Sequence, residues 1–203
     1  MLTLHHHPRS IYARRVVMAL AEKAIPHQVV LVDMAAREHK SPAFRALNPY
    51  GRVPVLTDET GFVLYESTAI LDYLEDIHPT PPLLPADPKQ RALARMHVKL
   101  CDLEMGRNIT TIIFPKRFLP PEKWDRPAMD QAKAAIEKHL AILDEHLAGK
   151  TYLVAEQFTV ADLCYVPFLE FLGLMDITPP PHVAPWCERI LTRPSALASK
   201  PDA

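Results

Sequence analysis

A serine stands at the start of the first predicted helix. Ser10 precedes a run in which Ala13, Val16 and Leu20 recur with helical spacing, so the spacing predicts a helix with one buried face. A serine in this position is a common N-cap. Its hydroxyl and the positive end of the helix can also stabilise an anion. Tyr12 carries the other nearby hydroxyl that could serve this purpose.

A second pair of polar residues stands where a predicted strand passes into a helix. Glu66 and Ser67 lie between the strand pattern of residues 62–65 and the helical pattern of residues 67–77. The Ser67 hydroxyl and backbone N–H, at a helix N-terminus, suit a carboxylate, and Glu66 suits an amine. The alternative is local, with Ser67 as an N-cap and Glu66 as a first-turn acid. The residues alone favour neither interpretation.

Proline interrupts the third predicted strand in the stretch NPYGRVPVL, residues 48–56. Pro54 cannot donate to a sheet ladder, although a proline is tolerated at the start of a strand. A cis bond before it would turn the N–H and C=O of Val53 away from the sheet, where they could pair with the main chain of a bound peptide. An ordinary trans proline at a strand edge is the alternative and the commoner case.

For the other polar residues, the sequence pattern favours a structural role over a catalytic or metal-binding one. Consecutive histidines in the extended segment 5–7 point to alternating faces, so they cannot all bind one metal ion. No nearby cysteine or carboxylate completes a set of metal ligands, and we expect no metal site. Thr159 and Asp162 in the stretch FTVADL have the three-residue spacing of a capping box. A catalytic Thr–Asp pair is the alternative, but the spacing favours a helix cap.

These candidates need a mixed sheet and its helices to position them. The first half alternates strand and helix patterns in the order β-α-β-α-β-β-α, with VVLV at residues 29–32 predicted as a buried strand. The second half is helical, with apolar stripes at Leu93, Met96, Leu100 and Leu103 and at Ile136, Leu140, Leu143 and Leu147. Proline-rich residues 79–89 predict a linker between domains at residues 1–78 and 90–203.

Composition narrows the classes of partner. The chain has 203 residues and a formal charge of −1, which gives no electrostatic reason to expect nucleic acid or an anionic membrane. No apolar run is long enough to span a bilayer, and the first residues lack the pattern of a secretory signal. Cys101, Cys164 and Cys187 are scattered, which favours a reducing compartment. We therefore expect a cytoplasmic protein.

Several motifs together resemble the cytosolic glutathione transferases. NPYGRVPVL and the following LYESTAILDYLE match the family's Asn-Pro-x-Gly-x-Val-Pro-x-Leu and Glu-Ser-x-Ala-Ile patterns, and residues 38–56 are most similar to the phi class. YLVAEQFTVADLCYVP, residues 152–167, and WCERILTRP near the end are similar to the family's helical half. The resemblance implies an α/β thioredoxin-like N-terminal domain, an all-α C-terminal domain and a homodimer.

The resemblance also implies roles for single residues. Ser10 stands in the register of the phi and zeta catalytic serine, five residues before Arg15, and would lower the pKa of the glutathione thiol as a hydrogen-bond donor. Tyr12 is the rival for this role. The expected glutathione-binding residues are His39, Lys40, Arg52, Val53, Pro54, Glu66 and Ser67. Glutathione is a co-substrate here, and no cofactor or metal is implied.

A hydrophobic electrophile is the implied second substrate, expected between the domains and against the first long helix of the second half. Ile109, Ile113 and Phe114, with Tyr12, are candidates to line its pocket, although core packing explains the residues of the helix equally well. Tyr50 is expected as a dimer contact, because phi-like transferases place an aromatic residue there that enters the partner subunit. Conjugation in detoxification is the expected reaction. The alternatives are a glutathione-dependent isomerase, dehalogenase or peroxidase, or a non-catalytic glutathione- or ligand-binding protein.

Overall fold

Two compact units make up the chain. The computed structural model describes residues 1–201. The first unit comprises residues 1–83 together with the segment that begins at Pro194. The second unit comprises residues 84–193. The chain therefore leaves the first unit once and returns to it at its C-terminal end.

The two units differ from the division expected from the sequence, which is residues 1–78, a linker at 79–89 and a helical domain at 90–203. The first long helix begins at Pro88, inside the expected linker. The segment from Pro194 joins the first unit because it packs on that unit's first helix. Ala196 of this segment is fully buried, and Arg14 of the helix donates to the Ser199 carbonyl oxygen.

The first unit holds a four-stranded sheet. Its elements up to residue 77 are β1 (Leu2–His6), α1 (Ile11–Glu22), β2 (His27–Leu31), α2 (Pro42–Leu47), β3 (Val55–Asp58), β4 (Val63–Tyr65) and α3 (Ser67–Ile77). The strand order is β2-β1-β3-β4, with β1 and β2 parallel and the other neighbouring pairs antiparallel. This arrangement has the order of elements that the sequence predicts.

β2 is an exposed edge strand, not the buried strand predicted from its apolar run. Val29 is 51% exposed and Leu31 is 62% exposed, whereas Val32, just beyond the strand, is buried. An unbroken apolar run is typical of a strand that is covered on both faces. Because β2 lies at the end of the sheet, it has a neighbouring strand on one side only. The prediction of burial was wrong.

A buried ion pair joins the end of α1 to α3. Lys23 Nζ lies 2.6 Å from Glu75 Oε2 and donates to the carbonyl oxygens of His78 and Pro81. Glu75 Oε2 also accepts from the backbone N–H of Leu83. A buried charge pair is tolerated when hydrogen bonds use its remaining capacity. The pair therefore fixes the path of the chain where it leaves α3.

The second unit is helical, as predicted. Its helices are α4 (Pro88–Leu100), α5 (Arg107–Phe118), α6 (Arg126–Leu147), α7 (Val160–Leu169) and α8 (Val183–Leu191), and a π-helical turn at Cys101–Gly106 joins α4 to α5. The last helix, α9 (Pro194–Ala198), belongs to the first unit. Every residue of α7 is buried, so α7 is central to the second unit. Across residues 1–201, no helix combines the length and the apolar character needed to cross a membrane.

A capping box begins α7, as the FTVADL motif predicts. The Thr159 N–H donates to Asp162 Oδ2, and the Thr159 hydroxyl oxygen accepts from the Ala161 N–H. Asp162 Oδ1 also accepts from the Leu153 N–H and from Trp186 Nε1. Burial raises the pKa of this carboxyl, although the hydrogen bonds oppose the rise. The structural interpretation of the Thr–Asp pair is confirmed.

Of the two predicted apolar stripes, one is buried, and in the other, two residues are exposed while Leu100 and Leu103 are half-buried. The stripe on α6 is buried at Ile136, Leu140, Leu143 and Leu147. On α4, Leu93 and Met96 are exposed, and the buried residues are Ala94, His97 and Val98. Hydrophobicity alone selects the wrong face of α4 because the buried face contains a histidine.

Candidate active site

One end of the sheet brings the candidate residues of the first unit together. In the strand register, Val55 of β3 pairs with His5 of β1 and with Tyr65 of β4. The chain therefore leaves β1, enters β3 and leaves β4 at the same end of the sheet. The segments at this end hold Ser10, Val53, Pro54, Glu66 and Ser67.

Ser10 is the N-cap of α1. Its backbone has φ −80° and ψ 113°, outside the helical region, and its Oγ accepts a hydrogen bond from the Ala13 N–H at 3.3 Å. This bond uses a lone pair of the hydroxyl oxygen, so the hydroxyl hydrogen is left to donate elsewhere. The capping role and the anion-stabilising role predicted for Ser10 are therefore compatible.

Tyr12, the rival to Ser10, lies in the first turn of α1 and is exposed. The guanidinium carbon of Arg15 lies 5.1 Å from the centroid of its ring. Arg15 itself is fully buried, so this cation–π contact holds the Tyr12 ring against a fixed group. The Tyr12 phenol lacks the N-cap position that gives the Ser10 hydroxyl the field of the helix N-terminus.

Asn48 and Gly51 shape the loop that leads into β3. The Asn48 side-chain amide donates to the Arg52 carbonyl oxygen at 2.8 Å, and its oxygen accepts from the Tyr50 N–H at 3.1 Å. Gly51 has φ +58°, and a Cβ at this position would lie 2.6 Å from the His39 carbonyl oxygen. Only glycine fits both constraints. This loop presents Val53 and Pro54 at the end of the sheet.

The loop also engages Lys40. Its Nζ donates to the carbonyl oxygens of Tyr50 at 3.3 Å and Gly51 at 2.8 Å, which leaves one of the three ammonium hydrogens. Nδ1 of His39 is buried without a hydrogen-bond partner among residues 1–201. Burial and the neighbouring cations of Lys40 and Arg37 lower the pKa of His39. His39 is therefore uncharged at pH 7.

Val53 and Pro54 precede the third strand. The Val53–Pro54 peptide bond is cis, which is the less common of the two alternatives weighed above. Because β3 begins at Val55, the main-chain groups of Val53 lie outside the sheet ladder. Val53 is partly exposed and Pro54 is buried. The main chain of Val53 is thus placed where an added strand could pair.

Glu66 has a backbone conformation that residues other than glycine rarely adopt. Its φ is 75° and its ψ is 114°, and such outliers persist where the surrounding structure imposes them, often at functional sites. Glu66 occupies the N-cap position of α3 without a capping side-chain bond, and its side chain is exposed. Ser67 is the first residue of α3 and is buried. The alternative in which Ser67 is the N-cap was therefore wrong.

The three histidines near the start of the chain have separate environments. His5 Nε2 lies 3.1 Å from Thr57 Oγ1, and the Arg9 N–H donates to His7 Nδ1. His6 is buried, and this burial lowers its pKa. In the part of the chain that the structure describes, no group of three or more His, Cys, Asp or Glu side chains is arranged to hold a metal ion.

The predicted electrophile-binding residues of α5 differ in exposure. Ile109 and Ile113 are buried, whereas Phe114 is exposed. The ring of Phe114 lies 5.2 Å from the ring of Phe118, measured between centroids. Of these three predicted residues, Phe114 is the one that presents a large apolar surface.

Two other apolar surfaces are uncovered in the single chain. Tyr50 is 63% exposed, although its ring meets the ring of Tyr65 edge-on at 6.1 Å. In the second unit, a groove of about 460 Å³ lies between α4 and α6, and Met96, Leu100 and Ile142 line it. Exposed apolar surface of this kind commonly marks an interaction site.

Two protein-family models match the chain. The N-terminal domain of glutathione S-transferase matches residues 9–77, and the C-terminal domain of glutathione S-transferase matches residues 101–194. A glutathione S-transferase from Silene vulgaris is 30% identical to this chain, over 96% of this chain and 94% of its own length. The chain belongs to the glutathione S-transferase family.

Comparison with a solved member of this family agrees with the assignment. The structure of glutathione transferase F2 from Populus trichocarpa is similar with a TM-score of 0.88 and 27% identity, covering 98% of this chain and 97% of that one. The transferase fold and the phi-like resemblance are thereby confirmed. The chain is also 30% identical to FtsZ-localized protein A from Caulobacter vibrioides, over 87% of this chain and 79% of that protein.

Sequence reasoning misses Asn48 and the backbone of Glu66 in this transferase site. The signal for Asn48 is present in the Asn-Pro-x-Gly pattern, because an asparagine amide often bonds to the main chain two residues ahead and stabilises a turn. The positive φ of Glu66 has no such signal, since glutamate is not a residue that favours this region.

Proposed function

We propose that this transferase conjugates the glutathione thiol to electrophilic small molecules, with Ser10 stabilising the thiolate. Membership of the family makes glutathione the co-substrate. The observation that carries the proposed role is the Ser10 hydroxyl at the N-terminus of α1. Lowering a thiol pKa from ~8.5 to about 7 requires roughly 2 kcal/mol, which a hydrogen bond to a charged acceptor and a helix N-terminus together supply.

The γ-glutamyl end of glutathione is assigned to the start of α3. The Ser67 hydroxyl and N–H offer hydrogen bonds to its carboxylate, and the Glu66 carboxylate offers one to its amine. The unusual backbone of Glu66 supports this assignment, because it orients two adjacent polar residues at a helix N-terminus. The cysteinyl residue would pair with the main chain of Val53, as an added strand does, where Pro54 ends the ladder.

The glycyl carboxylate is assigned to His39, Lys40 and Arg52. Lys40 keeps one ammonium hydrogen beyond its two loop contacts, and Arg52 is exposed in the same loop. His39 acts as a neutral donor, because its lowered pKa keeps the imidazole uncharged at pH 7.

The electrophile is assigned to exposed apolar surface, for which Tyr12 in the first unit and Phe114 in the second unit are separate candidates. Ile109 and Ile113 are buried, so they would affect the binding surface only indirectly, as core residues beneath Phe114. An electrophile with an apolar or aromatic body suits these side chains. Holding the two substrates close together in a reactive orientation would contribute to the rate acceleration.

Conjugation of glutathione to a chloronitrobenzene tests the proposal. We expect Ser10→Ala to lower kcat/KM by about tenfold or more at pH 6.5, since each factor of ten corresponds to about 1.4 kcal/mol. Glutathione affinity should stay near the wild-type value. Tyr12→Phe is the matched control, because it removes the rival hydroxyl and should keep most of the activity. Equal activity in Ser10→Ala and wild type, or a larger loss in Tyr12→Phe, would contradict the proposed role.

Loss of the helix cap is a competing explanation for an inactive Ser10→Ala protein. Replacing an N-cap serine by alanine costs about 1 kcal/mol, whereas glycine costs only a few tenths. Ser10→Gly therefore separates the two effects, since it keeps the helix stable and still lacks the hydroxyl. We expect Ser10→Gly to be as inactive as Ser10→Ala.

We further infer a homodimer in which Tyr50 of one protomer enters the groove between α4 and α6 of its partner. The exposed Tyr50 ring and the apolar groove lined by Met96 and Ile142 support this arrangement. We also infer a cytoplasmic location. The cysteines support it, because Cys101, Cys164 and Cys187 are buried and none of the three forms a disulfide bond.

The relative FtsZ-localized protein A is named for a location and not for a reaction, so a second candidate is a non-catalytic protein that binds glutathione or another ligand. A panel of electrophiles, organic halides and peroxides, each assayed with glutathione, separates the candidates. Conjugation of the electrophiles supports the first proposal. Turnover of halides or peroxides alone would favour a dehalogenase or peroxidase, and glutathione binding without turnover would favour the non-catalytic protein.

A further inference from the structure

The C-terminal segment of the chain packs along α1, the helix that begins after Ser10. Ser195, Ala196 and Ser199 of this segment are buried, and α9 contacts α1. At the C-terminal end of α1, the Ser195 hydroxyl donates to Glu22 Oε1. A segment that follows the second unit in sequence therefore supports the helix that carries Ser10.

Arg14 bonds to the far end of this segment. Its Nε donates to the Ser199 carbonyl oxygen at 2.9 Å, and its Nη2 donates to Ser199 Oγ at 3.2 Å. The Ser199 hydroxyl in turn donates to the Ala196 carbonyl oxygen at 2.9 Å, which fixes its direction. Arg14 is almost fully buried. Two donors of its planar guanidinium reach one residue, so both the position and the orientation of the group are set.

The same residue lies one helical turn from Ser10. The Arg14 N–H donates to the Ser10 carbonyl oxygen at 3.0 Å, at the start of α1. The side chain of Arg14 is thus bonded to Ser199 while its main chain is bonded to Ser10. A shift of the first turn of α1 would have to stretch one of these bonds.

We propose that Arg14 and Ser199 form an anchor that positions the Ser10 hydroxyl for the glutathione thiol. Arg14 acts through Ser10 as a positioning residue and does not touch the substrate. The inference rests on the proposed role of Ser10 in stabilising the thiolate. A hydrogen bond weakens as it lengthens or bends, so a displaced first turn gives a weaker bond to sulfur and a higher thiol pKa.

The pKa of the bound thiol, followed by the ultraviolet absorbance of the thiolate against pH, tests the anchor. Arg14→Lys keeps the positive charge and loses the planar pair of donors. Ser199→Ala removes the hydroxyl that accepts from Nη2. We expect each variant to raise the pKa of bound glutathione by about half a unit, which is about a threefold loss of thiolate at a pH below the pKa. The dissociation constant of glutathione should change by less than about twofold.

Ser195→Ala is the matched control for Ser199→Ala. Both variants remove one serine hydroxyl that links the C-terminal segment to α1, but Ser195 bonds to Glu22, at the end of the helix away from Ser10. A purely structural effect would lower the melting temperature in both variants and leave the thiol pKa unchanged in both. The anchor predicts a pKa rise in Ser199→Ala and none in Ser195→Ala.

A competing explanation is that the positive charge of Arg14 lowers the thiol pKa directly. Arg14→Met tests it, because this variant removes the charge together with the hydrogen-bond donors. A raised pKa in Arg14→Met beside a wild-type value in Arg14→Lys would assign the effect to charge and overturn the positioning role. The Ser10→Ala protein serves as the reference. If Ser10→Ala leaves the thiol pKa unchanged, the proposed function of Ser10 fails. If Ser10→Ala raises the pKa while Arg14→Lys and Ser199→Ala do not, the anchor alone is overturned.

Discussion

The hydroxyl of Ser10 acts in a helix turn that is free of acidic side chains. An acid in the first turn usually stabilises a helix, but it would repel a thiolate. The first turn of α1 contains no acidic residue. The Ser10 hydroxyl and the backbone N–H groups at this end of α1 can therefore act on sulfur without an opposing charge in that turn.

A second residue, His97, should make stability depend on pH. It lies on the buried face of α4, where burial and the nearby His146, His139 and Lys150 lower its pKa to about 4. The unfolded chain has a histidine pKa near 6.5, so the contribution of His97 is complete above that value and is lost as pH falls toward 4. We expect the free energy of unfolding in urea to fall by about 2 kcal/mol between pH 7 and pH 5 from this residue.

His97→Leu should remove that part of the pH dependence, because leucine has no proton to bind. His78→Gln is the comparison variant, since it also removes one histidine, from an exposed position at the end of α3. The same slope in His97→Leu and wild type would show that His97 does not titrate in this way.

The order of the elements could be predicted from the sequence because each element carries a local signal. Such signals depend only on residues that are close in the sequence. Examples are the periodic apolar residues of α1 and α6 and the capping box of α7. The burial of β2 and the face of α4 could not be predicted in this way. Their exposure depends on which elements lie against them, and one chain segment does not contain that information.

In the candidate site, too, the residues with a local sequence signal could be predicted and those that depend on distant contacts could not. Ser10, Val53 and Ser67 stand in short motifs, so their places at the ends of strands and helices could be predicted. The positive φ of Glu66 could not, because it is imposed by the join between β4 and α3. The bond between Arg14 and Ser199 joins residues 185 positions apart, which no local pattern indicates.

For the whole molecule, the prediction concerns association. Tyr50→Ala should shift the sedimentation coefficient from that of a dimer toward that of a monomer, because the aromatic side chain that fills the partner's groove is lost. Ile142→Glu should have the same effect from the other side, since it places a charge in the groove between α4 and α6.

Phe118→Ala is the matched control for Tyr50→Ala, because both aromatic residues are 63% exposed in the single chain. Only the Tyr50 and Ile142 variants should dissociate. A dimer that persists in both of them would rule out this interface, and a wild-type protein that sediments as a monomer would rule out the dimer itself.

The central claim is that glutathione lies along the end of the sheet with its sulfur at the Ser10 hydroxyl. A crystal structure of the protein with bound glutathione tests this most directly. We predict that the sulfur lies within hydrogen-bond distance of Ser10 Oγ and that the cysteinyl main chain pairs with Val53. A sulfur atom bonded to the Tyr12 hydroxyl instead, or lying away from both hydroxyls, would contradict the account.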